Sequence, residues 1–157
     1  MNYSPRNKVV VIAFLIAMAV QAQGRHWVRV ADAEHDIRGR QAEITLEFTV
    51  EPGFHIQASQ PADPALIPTE LILSWPSGFS GGPADFPPTH PFVLEGSGEV
   101  LEVYSETFRV SIPVSLQEGL SPGQYRVAAV LRYQACDSAR CLFPRELSFF
   151  FRIQLGG

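Results

Sequence analysis

Two residue types in this chain carry chemistry that their spacing brings forward: Cys136 and Cys141, in the run Tyr133-Gln134-Ala135-Cys136-Asp137-Ser138-Ala139-Arg140-Cys141-Leu142-Phe143-Pro144. They are the only cysteines of the sequence. They fall between an alternating segment that ends near Tyr133 and another that begins near Glu146, so they bracket the tip of an expected β-hairpin. A turn at Asp137-Ser138 brings their backbones within disulfide reach. By loop entropy, a bond across so short a ring contributes only about 2 kcal/mol, and it joins segments that a hairpin already holds together. A bond of little structural value at an exposed tip suits reversible exchange. The same spacing also fits an inert hairpin disulfide or a pair of metal ligands. Arg140 favours the thiolate of its neighbour Cys141, whereas Asp137 disfavours ionisation of Cys136, so the two sulfurs need not be equivalent. Zinc or copper would need two further ligands from His26, His35, His55 and His90, none of which forms a local pair.

The elements that must hold this pair are strands. Apolar and polar residues alternate over 43–50, 107–116, 124–133 and 147–155, with Ile44, Leu46, Phe48 and Val50 setting the pattern in the first. Shorter candidates cover 27–31, 69–75 and 100–104, separated by turn material such as Glu51-Pro52-Gly53 and Ser121-Pro122-Gly123. About seven or more strands and no convincing helix predict an all-β fold, an immunoglobulin-like antiparallel β-sandwich. Two stretches resist strand assignment, 55–68 and 76–98, the second with five Pro and five Gly. Loops of that length are usually functional or disordered. Phe79, Phe86, Phe92 and His90 on the Pro-stiffened second stretch suggest a cover that packs on something.

At 157 residues and 46% hydrophobic, the chain has the material for one core and one domain. A charged fraction of 18% with 11 Phe, 4 Tyr and 2 Trp is too apolar for a disordered tail, and a net charge of −4 argues against non-specific nucleic-acid binding. Arg6 and Lys8 precede an apolar run over 9–20, and Val20 and Ala22 supply small residues for a cut after Ala22. That is the layout of a signal peptide over 1–22, with 23–157 as the exported domain. The run is shorter than the roughly 20 residues of a membrane span. Export leaves 10 basic against 16 acidic residues, a net of −6, and places both cysteines in an oxidising compartment. Gly78-Phe79-Ser80-Gly81-Gly82 fits a hydrolase elbow, but Pro83, Pro87 and Pro88 follow it instead of a helix, so it is set aside.

The run Tyr133-Gln134-Ala135-Cys136 with Cys141-Leu142-Phe143-Pro144 resembles the active-site hairpin of the N-terminal periplasmic domain of the thiol:disulfide interchange protein DsbD. Pro52-Gly53-Phe54-His55-Ile56-Gln57-Ala58, Leu66-Ile67-Pro68-Thr69-Glu70-Leu71 and Leu101-Glu102-Val103-Tyr104 add to the likeness, which covers about 27–155. The resemblance implies a periplasmic immunoglobulin-like domain, without cofactor, whose disulfide is reduced by a membrane-delivered electron supply and then reduces partner proteins. It implies Cys136 and Cys141 as catalytic residues, with Cys141 forming the mixed disulfide. In that family a loop covers the disulfide and moves aside when a partner docks. The 76–98 stretch stands where the cap is expected, with Phe86 and Phe92 as shielding candidates. Phe54, His55 and Gln57 fall where the family places aromatic or polar residues beside the cysteines, and Tyr133, Asp137 and Arg140 are further support candidates.

The full interchange protein continues into a membrane electron carrier and a thioredoxin-like domain, and this sequence has neither. The expectation is a donor on a separate chain, a membrane electron transporter or thioredoxin-like protein, with disulfide-containing or thioredoxin-fold acceptors in the periplasm. The alternatives are a non-catalytic extracytoplasmic binding module that keeps a structural disulfide, and copper or zinc handling by two thiolates with His55 or His90.

Overall fold

A computed structural model describes residues 25–156, in which every regular element is a strand. The expected signal peptide over 1–22 lies outside the described residues. In chain order the strands are β1 (Val28–Val30), β2 (Glu34–Ile37), β3 (Gln41–Val50), β4 (His55–Gln57), β5 (Glu70–Ser74) and β6 (Phe79–Gly81). They continue with β7 (His90–Val93), β8 (Val100–Tyr104), β9 (Thr107–Leu116), β10 (Gly123–Tyr133), β11 (Ala135–Cys136) and β12 (Arg145–Leu155). The segments expected from alternation are β1, β3, β5, β8, β9, β10 and β12. The five others are two to four residues long, too short to show a period, and exist because a neighbour satisfies their backbone.

The strands form three four-stranded sheets: β1-β3-β9-β6, β2-β12-β10-β5 and β11-β4-β8-β7. This all-β arrangement differs from a purely antiparallel sandwich of two sheets. There is a third sheet, and β2 runs parallel to β12, from Glu34 opposite Arg152 to Ile37 opposite Leu155. The parallel pair arises because β2 does not follow β12 through a tight turn but reaches it from the other end of the chain. The stretch 76–98 is also more ordered than a loop, since it contributes the edge strands β6 and β7. An edge position is what lets Pro91 sit inside β7.

The first two sheets bury one core. Ile44, Leu46 and Phe48 of β3 and Val110, Ile112 and Val114 of β9 meet Val127, Ala129 and Leu131 of β10 and Phe151 and Ile153 of β12. The period-two pattern thus turns directly into burial. Phe48 stacks on Phe108 with ring centroids 5.4 Å apart and meets Phe149 edge-on at 5.8 Å.

Both faces of the third sheet are covered. Ala135, Ile56 and Tyr104 lie opposite one another across β11, β4 and β8, and all three belong to the main core. On the other face Cys136, Val103 and Leu101 form a second apolar cluster with Leu94. One sheet is therefore shared between the large core and a small satellite cluster built around a sulfur.

Tyr133 ends β10 inside the main core, and its hydroxyl accepts the Trp27 N–H at 3.0 Å. Burial raises its pKa. Tyr133→Phe should leave that half-buried N–H without its acceptor and lower stability by about 1–3 kcal/mol in urea unfolding, with the far-UV spectrum unchanged. His35 of β2 packs against Phe151 with centroids 5.8 Å apart, and its Nε2 is buried without a partner. Burial lowers its pKa below the usual 6.5. The unfolded chain then binds the proton more tightly, so stability is full above about pH 6.5 and falls as pH drops through the lowered folded value. Urea midpoints between pH 7.5 and 5 should fall with pH, and less steeply in His35→Phe.

Candidate functional site

The site begins at a turn. Glu51-Pro52-Gly53-Phe54 closes with the Phe54 N–H donating to the Glu51 carbonyl at 3.0 Å. Pro52 presets the second position and Gly53 takes φ 82°, a left-handed conformation that favours glycine. The chain leaves β3 and enters β4, which pairs with β11 so that Cys136 stands opposite His55. Alternation then places a set of side chains on one face of the third sheet. Cys136 and His55 form one row, Gln57, Val103 and His90 the next, and Leu101 and Phe92 a third.

The β10–β12 hairpin supplies the sulfurs. Its register runs to Tyr133 opposite Arg145 and resumes at Cys136 opposite Cys141. Two residues, Gln134 and Ala135, thus face three, Leu142, Phe143 and Pro144, and this bulge re-aims the tip. The tip closes as the Asp137 N–H donates to the Arg140 carbonyl at 2.9 Å. The Asp137 carboxylate accepts the N–H groups of Ala139 and Arg140, each at 2.9 Å, and these bonds hold its pKa below the usual carboxylate range. Cys136 and Cys141 form a disulfide with Cα atoms 3.9 Å apart.

Cys136 is fully buried and Cys141 partly so, within the cluster of Leu94, Leu101 and Val103 on which Leu66 and Phe92 also pack. Gln57, 0% exposed, donates its Nε2–H to both sulfurs, at 3.3 Å to Cys136 and 3.5 Å to Cys141. Its Oε1 is buried and has no hydrogen-bond partner. The connection between β7 and β8 is tied to the cysteine turn by the Glu95 N–H, which donates to the Ser138 carbonyl at 2.8 Å. Gln134 braces the tip from beneath: its Nε2–H donates to the Leu142 carbonyl and its Oε1 accepts the Ile67 N–H.

The residues singled out from the sequence are distributed unevenly around this centre. Phe92 packs on the sulfur cluster and stacks on His55 with centroids 3.8 Å apart. Phe86 does not join it; it packs against the main core and stacks on Tyr104 at 5.7 Å. Phe54 stacks on Trp27 at 4.0 Å, and Tyr133 is a core anchor. His55 is hydrogen-bonded through Nδ1 to Ser105 Oγ, which also meets His90 Nε2 at 3.0 Å. Burial and then the nearby His90 lower the pKa of His55. Arg140 is exposed and enters the turn through its backbone N–H.

Leu94, which completes the cover, and Ser105, which joins the two histidines, carry no motif of their own, whereas Leu66 and Gln134 lie in runs that carry the resemblance but are not among its site candidates. Gln57 had one signal in the sequence, its place in the Pro52–Ala58 run of the resemblance; that it faces the sulfurs follows from the pairing of β4 with β11, which the sequence does not show. Among the described residues no three His, Cys, Asp or Glu side chains group as metal ligands.

The family model described as thiol:disulfide interchange protein DsbD, N-terminal, matches residues 26–152. Among solved structures, the chain is similar to the Neisseria meningitidis DsbD N-terminal domain in the reduced form, at 18% identity and a TM-score of 0.42, covering 68% of this chain and 74% of that one. It is also similar to the N-terminal periplasmic domain of ScsB from Proteus mirabilis, at 19% identity and a TM-score of 0.46, covering 79% of this chain and 44% of that one. A comparison with curated proteins finds no match. With the family model spanning nearly all of the described residues, the chain belongs to the DsbD N-terminal domain family.

Proposed function

We propose that this protein is a periplasmic thiol:disulfide interchange domain that relays electrons through Cys136 and Cys141. The observation that carries the reading is a lone disulfide at a hairpin tip, half-covered by apolar side chains, in a chain of the DsbD N-terminal family. The finer description as an immunoglobulin-like sandwich goes with the same reading and is supported by the two facing sheets and their common core. Periplasmic residence rests on the family and on the signal-peptide layout over 1–22.

A donor dithiol, from a membrane electron transporter or a thioredoxin-like protein on a separate chain, supplies two electrons and two protons. Its thiolate attacks Sγ of Cys141; the S–S bond breaks and Cys136 leaves as a thiolate that takes a proton. The donor's second thiol then attacks its own sulfur in the mixed disulfide, releasing Cys141 and leaving the donor oxidised. The resulting dithiol repeats the exchange in reverse on an oxidised periplasmic acceptor. Cys141 is favoured as the attacked sulfur because it is partly exposed while Cys136 is buried. Phe92 and Leu94 are the side chains that must move aside for a partner, and Phe143, 90% exposed and two residues past Cys141, offers that partner an apolar contact.

Incubation of the protein in glutathione redox buffers, with thiol alkylation read by mass and circular dichroism in both states, tests this. The expected result is a reversible disulfide–dithiol equilibrium with the β-sheet spectrum unchanged. Cys141→Ala should remain folded and lose exchange, since the bond contributes only about 2 kcal/mol by loop entropy. A bond that resists reduction until the domain unfolds would make the disulfide structural and overturn the proposal.

A further inference from the structure

We infer that Gln57 is a positioning residue that favours the dithiol over the disulfide at Cys136 and Cys141. The inference rests on the exchange reading above and concerns what sets the balance of that exchange. A disulfide sulfur carries no hydrogen, so an amide can meet it only as a donor. This is the arrangement of Gln57: Nε2–H points to both sulfurs, at 3.3 and 3.5 Å, and Oε1 is left buried with nothing to accept from. The side chain is itself fully buried, so that carbonyl is removed from bulk solvent.

Reduction changes what the sulfurs offer. Two thiols of a donor give two electrons to the S–S bond and become a disulfide, and two protons follow to the cysteines. When the more exposed thiol ionises, the pair presents one S–H donor and one thiolate acceptor. The amide has one acceptor and donors to match. A turn of the amide lets Oε1 take the S–H of the buried Cys136, while Nε2–H serves the thiolate of Cys141 through a charge-assisted bond stronger than one to a neutral sulfur. The oxidised pair uses half of the amide and the reduced pair uses all of it.

The other groups around the sulfurs do not duplicate this pairing. The Asp137 carboxylate is engaged by the turn N–H groups, and Arg140 and Glu95 are exposed. His55 is held by Ser105 and Phe92, and His90 by Ser105.

The test uses the full protein with Gln57→Leu and, as a second apolar variant of similar length, Gln57→Met. In glutathione buffers each variant should shift the equilibrium toward the disulfide by about tenfold or more, which is about 30 mV more negative for a tenfold change. The pH profile of Cys141 alkylation should move upward. Urea unfolding of oxidised and reduced forms separates positioning from packing, because the variants should weaken the reduced form more than the oxidised one. Equal losses in both forms, with the glutathione equilibrium unchanged and wild type exchanging reversibly, would overturn the role of Gln57 and leave the exchange reading intact. A wild-type bond that resists reduction until unfolding would instead overturn the exchange reading, and this inference with it.

Discussion

Everything distinctive in this protein depends on the third sheet having two covered faces. Strand alternation allows no compromise: once Ala135 is packed opposite Ile56 in the main core, Cys136 must emerge on the other side. The large core thereby fixes the position of one sulfur without contributing to its chemistry. A one-residue slip of β11 against β4 would carry the cysteine into the main core and the alanine into the smaller cluster, so the burial that holds the fold also protects the register of the site.

The second consequence is a disulfide whose surroundings are apolar and yet not fully closed. Leu94, Leu101 and Val103 seal Cys136, whereas Cys141 retains a partly open side. The cover itself consists of a short edge strand and its connection, attached by the backbone pairing of β7 to β8, the stack of Phe92 on His55, hydrogen bonds of His90 to Ser105 and of Thr89 to Glu102, and one from Glu95 to the cysteine turn. The cover is thus an edge element, packed on the sulfur cluster from outside the two large sheets.

Polar groups at the site are placed with corresponding economy. Asp137 serves the turn, Gln134 braces the hairpin arm, and Ser105 joins two histidines beneath the cover. Gln57 alone among these donates a side-chain hydrogen bond to sulfur. The division separates the groups that build the tip from the one that meets the sulfurs.

The long strands were legible because alternation over eight or more residues admits one reading, and all of Ile44, Leu46, Phe48 and Val50 are buried as that reading requires. The cysteine hairpin was legible from its two flanking strands and the turn residues between them. The short strands β2, β4, β6, β7 and β11 were not, since two to four residues carry no period and owe their form to a neighbour. For the same reason the stretch 76–98 reads as a loop although it contains two strands, and Phe86 and Phe92, alike in sequence, end on different clusters. The sequence by itself determined the all-β class, the hairpin with its paired cysteines and the family. Only the tertiary structure decided which side chains meet the sulfurs, because Gln57, Leu66, Leu94 and Leu101 come from segments distant along the chain. They are brought together by a sheet whose other face packs into the main core.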